Sequence, residues 1–393
     1  MNQMEAYLDN SATTPVSEAV IEIMEKTMRE DYGNPSSRHQ KGVDAEQYLR
    51  QAKERIASTL RVTPAEIFFT SGGTESNNWA LIGAAMANKR AGNHIITTAV
   101  EHSAVLQPLS MLEEAGFRIT HLPVDSLGHI DPEDLKKELC DETILVSTMY
   151  VNNEIGALEP VPEVGRIIAE YNRAHNRHIL YHVDAIQAYG KFRIFPKKLG
   201  IDMLSVSGHK IHGPKGAGFL YIREKTRIRP LIFGGGQQGG MRSGTDNVPG
   251  AAGLGVAAME AYTDFESKVE GMLACRRHLI AGLKEIEGTH LNSDEDETRC
   301  APHIVNCSFE GVRSEVLLHA LEDRGIYVSS GSACTSNKKI PVSSVLQEIH
   351  LRKDLQEGAI RFSFSELTTV EEIDMALNAL RELLPVLRKY SRR

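Results

Sequence analysis

The sequence predicts an α/β protein, with a mostly parallel central sheet sandwiched by helices and a smaller α+β domain attached. Three observations carry this. Between residues 63 and 225, short apolar runs alternate with helix-length stretches, the pattern of strands buried on both faces and joined by crossover helices. The glycine-rich run FGGGQQGGMRSGTDNVPG, residues 233–250, then ends the alternation. The length, 393 residues, also exceeds what one hydrophobic core usually serves.

Taken in order, EIFFTSGG leads into TESNNWALIGAAMANKR and NHIITTAV into EHSAVLQPLSMLEEAG. RITHLPVD, TILVSTMYV, HILYHVDAIQAYG, DMLSVSGHK and GAGFLYI complete the strand set. In such sheets ligands sit at the carboxyl ends of the strands, where Thr74, His102, Asn153, Asp184 and Lys210 fall. Beyond the glycine run, a long helical stretch is expected from about residue 249 to 287. HIVNCSFEG, GIYVSSGSAC and AIRFSFSE follow as strands, and TVEEIDMALNALRELLPVLRKY closes the chain as a helix. The expected division is a large domain, 14–257, and a small one formed by 1–13 with 258–393.

Composition narrows the function classes. The formal charge is −8 and no dense Lys/Arg block precedes the terminal RKYSRR, so bulk charge does not advertise nucleic-acid binding. No basic segment followed by an apolar run opens the chain, and no apolar stretch matches a bilayer, so a cytoplasmic protein is expected. Five cysteines without a CxxC pair fit neither a disulfide framework nor a zinc ribbon. Four have helix-like or strand-like neighbours and are expected to be buried. Cys334, in SSGSACTSNKK, reads instead as an accessible thiol on a surface loop.

FFTSGGTES has the form strand, glycine turn, helix start. Its amides, from Gly73 onward, and the Thr74 hydroxyl suit a phosphate, with the helix dipole adding to the attraction. No Gly-Lys-Ser/Thr follows, so it is not a nucleotide P-loop. Asp184 ends an apolar strand, and a carboxylate buried there needs a cation or several donors. A metal, with His182 two residues before, has too few companion ligands. A protonated heterocyclic nitrogen is the better candidate. Pyridoxal phosphate supplies that nitrogen, a phosphate for the glycine turn and an aldehyde for a lysine. Lys210, in SGHK, lies 26 residues after Asp184 at another strand end, with Ser207 and His209 just before it.

Ten blocks together carry a closer resemblance: YLDNSATTP, YGNPSSRH, FTSGGTESNN, EHSAV, VNNEIG, HVDAIQ, SGHKIHGPKG, GGGQQGGMRSGT, SSGSACTS and IRFSFS. In this order, over nearly the whole chain, they resemble the cysteine desulfurases, fold-type-I pyridoxal phosphate transferases of the class-V aminotransferase family. The resemblance implies that Lys210 binds the coenzyme covalently and shuttles protons, that Asp184 pairs with the ring nitrogen and that His102 stacks on the ring. It implies Gln187 at the phenolic oxygen, and Gly73, Thr74, Ser207 and His209 at the phosphate, with Thr245 reaching the phosphate of a neighbouring subunit in a homodimer. Arg361 would fork the carboxylate of L-cysteine, and Asn153 and Asn34 would help position it, although Gly-Asn-Pro is also strong turn chemistry. Cys334 would take the sulfur as a persulfide, leaving L-alanine.

The segment after Cys334 resembles the branch with a long mobile cysteine loop, but it carries Lys338 and Lys339 in place of small and acidic residues, and little tail follows VLRKYSRR. Both features leave the protein acceptor open between an iron–sulfur scaffold, a tRNA-thiolating enzyme and another carrier. Rival readings are a selenocysteine lyase or another β-lyase or aminotransferase, and a sulfur-relay platform acting mainly through partner binding. Neither direct nucleic-acid binding nor a membrane is expected.

Overall fold

The computed structural model describes residues 5–330 and 343–391. Seven strands form the principal sheet in the spatial order Ile67–Thr70, Gly218–Ile222, Met203–Ser207, Leu180–Asp184, Thr143–Met149, His94–Thr98 and Arg118–Leu122. Neighbours are parallel except at Gly218–Ile222, which runs against both of its partners. The alternation of side chains explains how the register is held. Tyr181, Val183, Leu204, Val206, Phe219 and Tyr221 enter one apolar layer with Val20, Ile56 and Leu254. Leu180, Met203, Leu220 and Ile222 enter the opposite layer with Trp79, Val105 and Leu109. A slip of one residue would exchange the two sets, and each fully buried large apolar side chain contributes roughly 1.5–3 kcal/mol.

Each site-bearing loop leaves the carboxyl end of a strand. Thr70 opens into the turn before the helix Gly73–Asn78, which continues through a π turn at Trp79–Gly83 into Ala84–Asn88. Trp79, almost fully buried, anchors that irregular turn by donating its indole N–H to the Arg229 carbonyl at 2.9 Å. Thr98 leads to the helix Ser103–Glu114, Asp184 to a tight turn, and Ser207 to the single 3₁₀ turn Gly208–Lys210.

A second, mostly antiparallel assembly orders Ser329–Ser330, Ala359–Ser363, Ile304–Phe309 and Thr289–Leu291. Its core joins Leu279, Leu283, Phe309, Phe362 and Leu380 to Ala6 and Leu8, and Ala6–Tyr7 pairs in parallel with Ile326–Tyr327. Residues 6–8 therefore pack with the distal part of the chain.

Two expectations need correction. The long helix expected over 249–287 is two helices, Val248–Tyr262 and Phe265–Lys284, separated at Asp264, whose φ is +51°. The aspartate accepts the left-handed conformation at modest cost, and the break lets the first helix pack on the large core while the second serves the small one. Cys140 is half-buried rather than buried, because Arg118–Leu122 forms an exposed edge of the sheet. Burial acts to raise its thiol pKa, but Thr143, the Glu142 amide and Arg118 more than offset that and lower it.

Gly218 pairs with Thr70 at the start of its strand. A Cβ there would meet the Val206 carbonyl oxygen at 2.6 Å and Gly72 Cα at 2.7 Å. Both obstacles are backbone, so they cannot swing aside. Gly218→Ala is expected to lower stability by about 3 kcal/mol, measured as a drop in the chemical-denaturation midpoint relative to the parent chain.

Candidate active site

Asp184 is buried at the centre of the sheet's carboxyl edge, beside Met149 and Ser205 on the adjacent strands. Its Oδ1 accepts from the Ile186 amide at 3.0 Å and its Oδ2 from Asn77 Nδ2 at 2.7 Å. Both donors are neutral. Burial raises the carboxyl pKa; the two hydrogen bonds and the His102 and Lys210 charges counter it without cancelling it. Two residues back on the same face, His182 bonds Ser147 Oγ at 2.8 Å and Ser205 Oγ at 2.9 Å. Burial holds that imidazole down at about 3, so it is a neutral cross-link between three strands.

His102 caps the helix Ser103–Glu114 by accepting the Ala104 amide on Nδ1 at 3.0 Å. With that lone pair committed, the neutral ring carries its proton on Nε2. Burial lowers the imidazole pKa; Asp184 pulls it up and Lys210 pulls it down. The capping role and a role in chemistry are therefore compatible: one nitrogen orients the ring while the other remains for a ligand.

Lys210 projects from the 3₁₀ turn toward the amino-terminal segment, where its Nζ donates to the carbonyls of Ser11 and Ala12, the latter at 2.7 Å. This segment runs along the lysine loop: Thr14 N donates to the His209 carbonyl at 2.9 Å, and His212 N to Thr14 Oγ1 at 2.7 Å. Gln187, also buried, donates to the Ser11 carbonyl at 3.0 Å and meets His303 Nε2 at 3.4 Å through its Oε1.

The glycine turn sits next to this group. Gly72 has φ +143°, a conformation closed to L side chains, and Ser207 Oγ lies 3.5 Å from where its Cβ would be. Thr74, on the first turn of the following helix, is exposed. Glu75 in the same turn is held by Arg242 at 2.9 and 3.1 Å, which removes its repulsion toward an anion. His209 is held at about 4, chiefly by burial and then by the Lys210, Lys215 and Lys191 charges, so it faces this region as a neutral donor.

Arg361 arrives from the small sheet. Its Nη2 contacts Asp9 Oδ1 and its Nη1 the Asn153 carbonyl, both at 2.8 Å. Glu154, next in sequence, is raised to about 7 by burial against the opposing pull of Ser343 and Arg361. Ser329 pairs directly with Arg361, and Ser343 donates to Glu154. Cys334, Lys338 and Lys339 lie outside the described residues, but the described chain on either side of 331–342 is thus attached beside Arg361. Asn34 and Thr245 are exposed. Asn34 accepts from the Ser36 and Ser37 amides, and among the described residues neither joins the cluster by a hydrogen bond within this chain.

Among the described residues, the buried polar atoms without a hydrogen-bond partner include Ser11 Oγ, Asn77 Oδ1, His303 Nδ1 and Arg361 Nε, all on residues of this cluster. Together with a carboxylate that has only neutral donors, they fit a large polar ligand carrying a cationic nitrogen. Sequence reasoning did not single out Asn77, Ser11, Asp9 or His303. Asn77 and the amino-terminal pair lay inside quoted blocks, whereas nothing local marked His303.

The Glu366 carboxylate ties the small domain to the lysine loop through His212 Nε2 at 3.2 Å. Burial opposes its ionisation, but His212, and after it Lys191, bring it down to about 2. A depressed carboxyl stabilises the fold above the ordinary glutamate range and loses that contribution as pH falls toward 2. Glu366→Gln is therefore expected to shrink the stability difference between pH 6 and pH 3 by about 2 kcal/mol, read from denaturation curves at the two pH values.

The description Aminotransferase class-V fits residues 6–376. A protein of Methanosarcina thermophila named cysteine desulfurase IscS is 44% identical, over 98% of this chain and 93% of its own. One of the same name from Klebsiella pneumoniae is 45% identical over 98% and 94%. Among solved structures, a NifS-like protein superposes with a TM-score of 0.91 at 40% identity, covering 98% of this chain and all of the other. A structure described as SspA in complex with cysteine gives 0.78 at 33%, covering 93% and 100%. With a match along nearly its whole length and relatives more than 40% identical, this chain belongs to the class-V aminotransferase family.

Proposed function

We propose that the protein is a cysteine desulfurase: L-cysteine and the Cys334 thiol give L-alanine and a Cys334 persulfide, whose outer sulfur passes to an acceptor for iron–sulfur assembly or tRNA thiolation. The carrying observation is that a buried carboxylate, a capped histidine and a lysine act on one another's charge, and that the lysine and an arginine from the second sheet both act on His303. The names and identities of the relatives support the same reading.

Asp184 with Asn77, Gln187, the 72–74 turn, Ser207, His209 and Lys210 would hold pyridoxal phosphate. When bound, that group supplies an aldehyde for an amine and a ring that draws electrons from the substrate Cα. Asp184, kept dry, would pair with the ring nitrogen and favour its protonated form. Lys210, released from the Ser11 and Ala12 carbonyls, takes and returns the Cα proton. Arg361 receives the substrate carboxylate on a guanidinium already aligned by Asp9 and Asn153, so little ordering remains to be done on binding. Cys334 accepts the substrate's sulfur: the C–S bond breaks, an S–S bond forms, and the carbon skeleton gains the proton that makes alanine. We assign this cofactor-binding work to residues 14–257, and the arginine and the cysteine to the domain of 1–13 with 258–393, in a homodimer to which Thr245 contributes across the interface.

Purified protein supplied with L-cysteine and dithiothreitol is expected to release alanine and sulfide in equal amounts, and Cys334→Ala neither. Pyruvate and ammonia as the main products would overturn the assignment in favour of a lyase. Arg361→Lys is expected to raise KM for L-cysteine by about tenfold to a hundredfold, with a smaller change in kcat, in steady-state alanine assays.

A further inference from the structure

The strand Ile67–Thr70 ends the principal sheet on one side, so alternate main-chain groups along its outer edge have no neighbouring strand to meet. The Gln238 side chain takes that place at one residue. Its Oε1 accepts from the Phe69 amide at 2.7 Å and its Nε2 donates to the Phe69 carbonyl at 3.0 Å. A primary amide offers an acceptor and a donor side by side, as the edge of a strand does, whereas the isosteric carboxylate could only accept. Phe69 is buried, and this pairing keeps its main chain bonded there. To reach it, Gln238 stands at φ +49°, a left-handed conformation uncommon outside glycine.

The same loop takes a second hold. Arg242 meets Glu75 through Nε at 2.9 Å and Nη2 at 3.1 Å, and Glu75 Oε2 accepts from the Ser71 amide at 2.8 Å. Within the loop, Gly244 N donates to Gln237 Oε1 and Gly240 N to the Gly236 carbonyl, both at 2.9 Å, which ties the two holds together. Phe69 and Glu75 flank the glycine turn, so the loop grips it from both ends. Thr70, next to Phe69, accepts the Gly72 amide on Oγ1 at 3.3 Å and meets Ser76 Oγ at 2.8 Å. A shift at Phe69 therefore passes directly into the turn. On the sheet side Gly218 already confines it by its close approach to Gly72.

We propose that Gln238 is a positioning residue for the phosphate-binding turn: by fixing Phe69 from the open edge of the sheet, it holds the amides that follow at the spacing an anion requires. The inference rests on the reading of residues 72–74 as the seat of the coenzyme phosphate. Gln238 carries no charge, so it adds nothing to the long-range attraction for an anion, and its effect is one of geometry alone. In that reading the ring of the coenzyme is held by other residues, Asp184, His102 and Lys210. Loss of Gln238 is therefore felt by the phosphate and not by the ring.

The test compares the full-length chain, freed of coenzyme, with Gln238→Met and Gln238→Gly. Both variants are neutral and lack the amide, and glycine suits the left-handed backbone. Hydrogen–deuterium exchange, resolved at single residues by electron-transfer mass spectrometry, reads the Phe69 amide. Titration with pyridoxal phosphate and with pyridoxal, each trapped on Lys210 by borohydride, reads the advantage that the phosphate confers. In both variants Phe69 exchange is expected to quicken about fivefold or more, and the affinity ratio of the two compounds to fall about fivefold to tenfold. The affinity for pyridoxal should stay within about twofold of the parent. Phe69 exchange at the parent rate in a folded variant, an unchanged ratio, or an equal loss for both compounds overturns the proposal. Thr245→Val should leave Phe69 exchange at the parent rate, so a phosphate effect running through Thr245 alone would show as a lower ratio without faster exchange. Should Gln238→Met fail to fold, Gln238→Gly decides. No adduct on Lys210 from either compound in the parent would instead fail the functional reading, and the phosphate role with it, while leaving the contrast in Phe69 exchange intact.

Discussion

The buried carboxylate of Asp184 is the constraint around which the site is organised. A carboxylate at the centre of a sheet edge, bonded among the described residues by an amide N–H and an asparagine N–H and helped by the His102 and Lys210 charges without its burial being cancelled, is an incomplete electrostatic arrangement, tolerable when a cationic ligand finishes it. The surrounding features follow from that demand. Asn77 supplies its donor from the helix Gly73–Asn78, His182 is spent as a strand cross-link, and the burial of Asp184 preserves the strength of whatever pairing a ligand makes.

Around this carboxylate the protein places groups that are individually neutral or already engaged. His102 spends one nitrogen on a helix cap, His209 is kept uncharged, and Lys210 rests on two carbonyls of the amino-terminal segment. Arg361 is oriented by its Asp9 contact. The site is thus arranged before a ligand enters, the condition under which binding energy goes into chemistry rather than ordering.

The second sheet contributes position. Of the described residues on either side of 331–342, Ser329 pairs with Arg361 and Ser343 with Glu154, whose preceding residue, Asn153, gives its carbonyl to Arg361.

Much of this was legible in the sequence because strand-to-loop transitions carry period and turn chemistry: Asp184, Lys210, His102 and the glycine turn each mark a strand end, and ten ordered blocks point to one family. The kink at Asp264 and the exposure of Cys140 were not legible, since one depends on two cores competing for one helical stretch and the other on which strand lies at the edge. Asn77, Ser11, Asp9 and His303 escaped for the same reason. Their roles arise from contacts between residues tens to hundreds of positions apart, such as Asp9 with Arg361, and local pattern holds no record of such distances. The chemistry on offer was written in residue types and their order along the chain; which groups touch, and which of them are buried, was decided only when the sheet and the two cores closed.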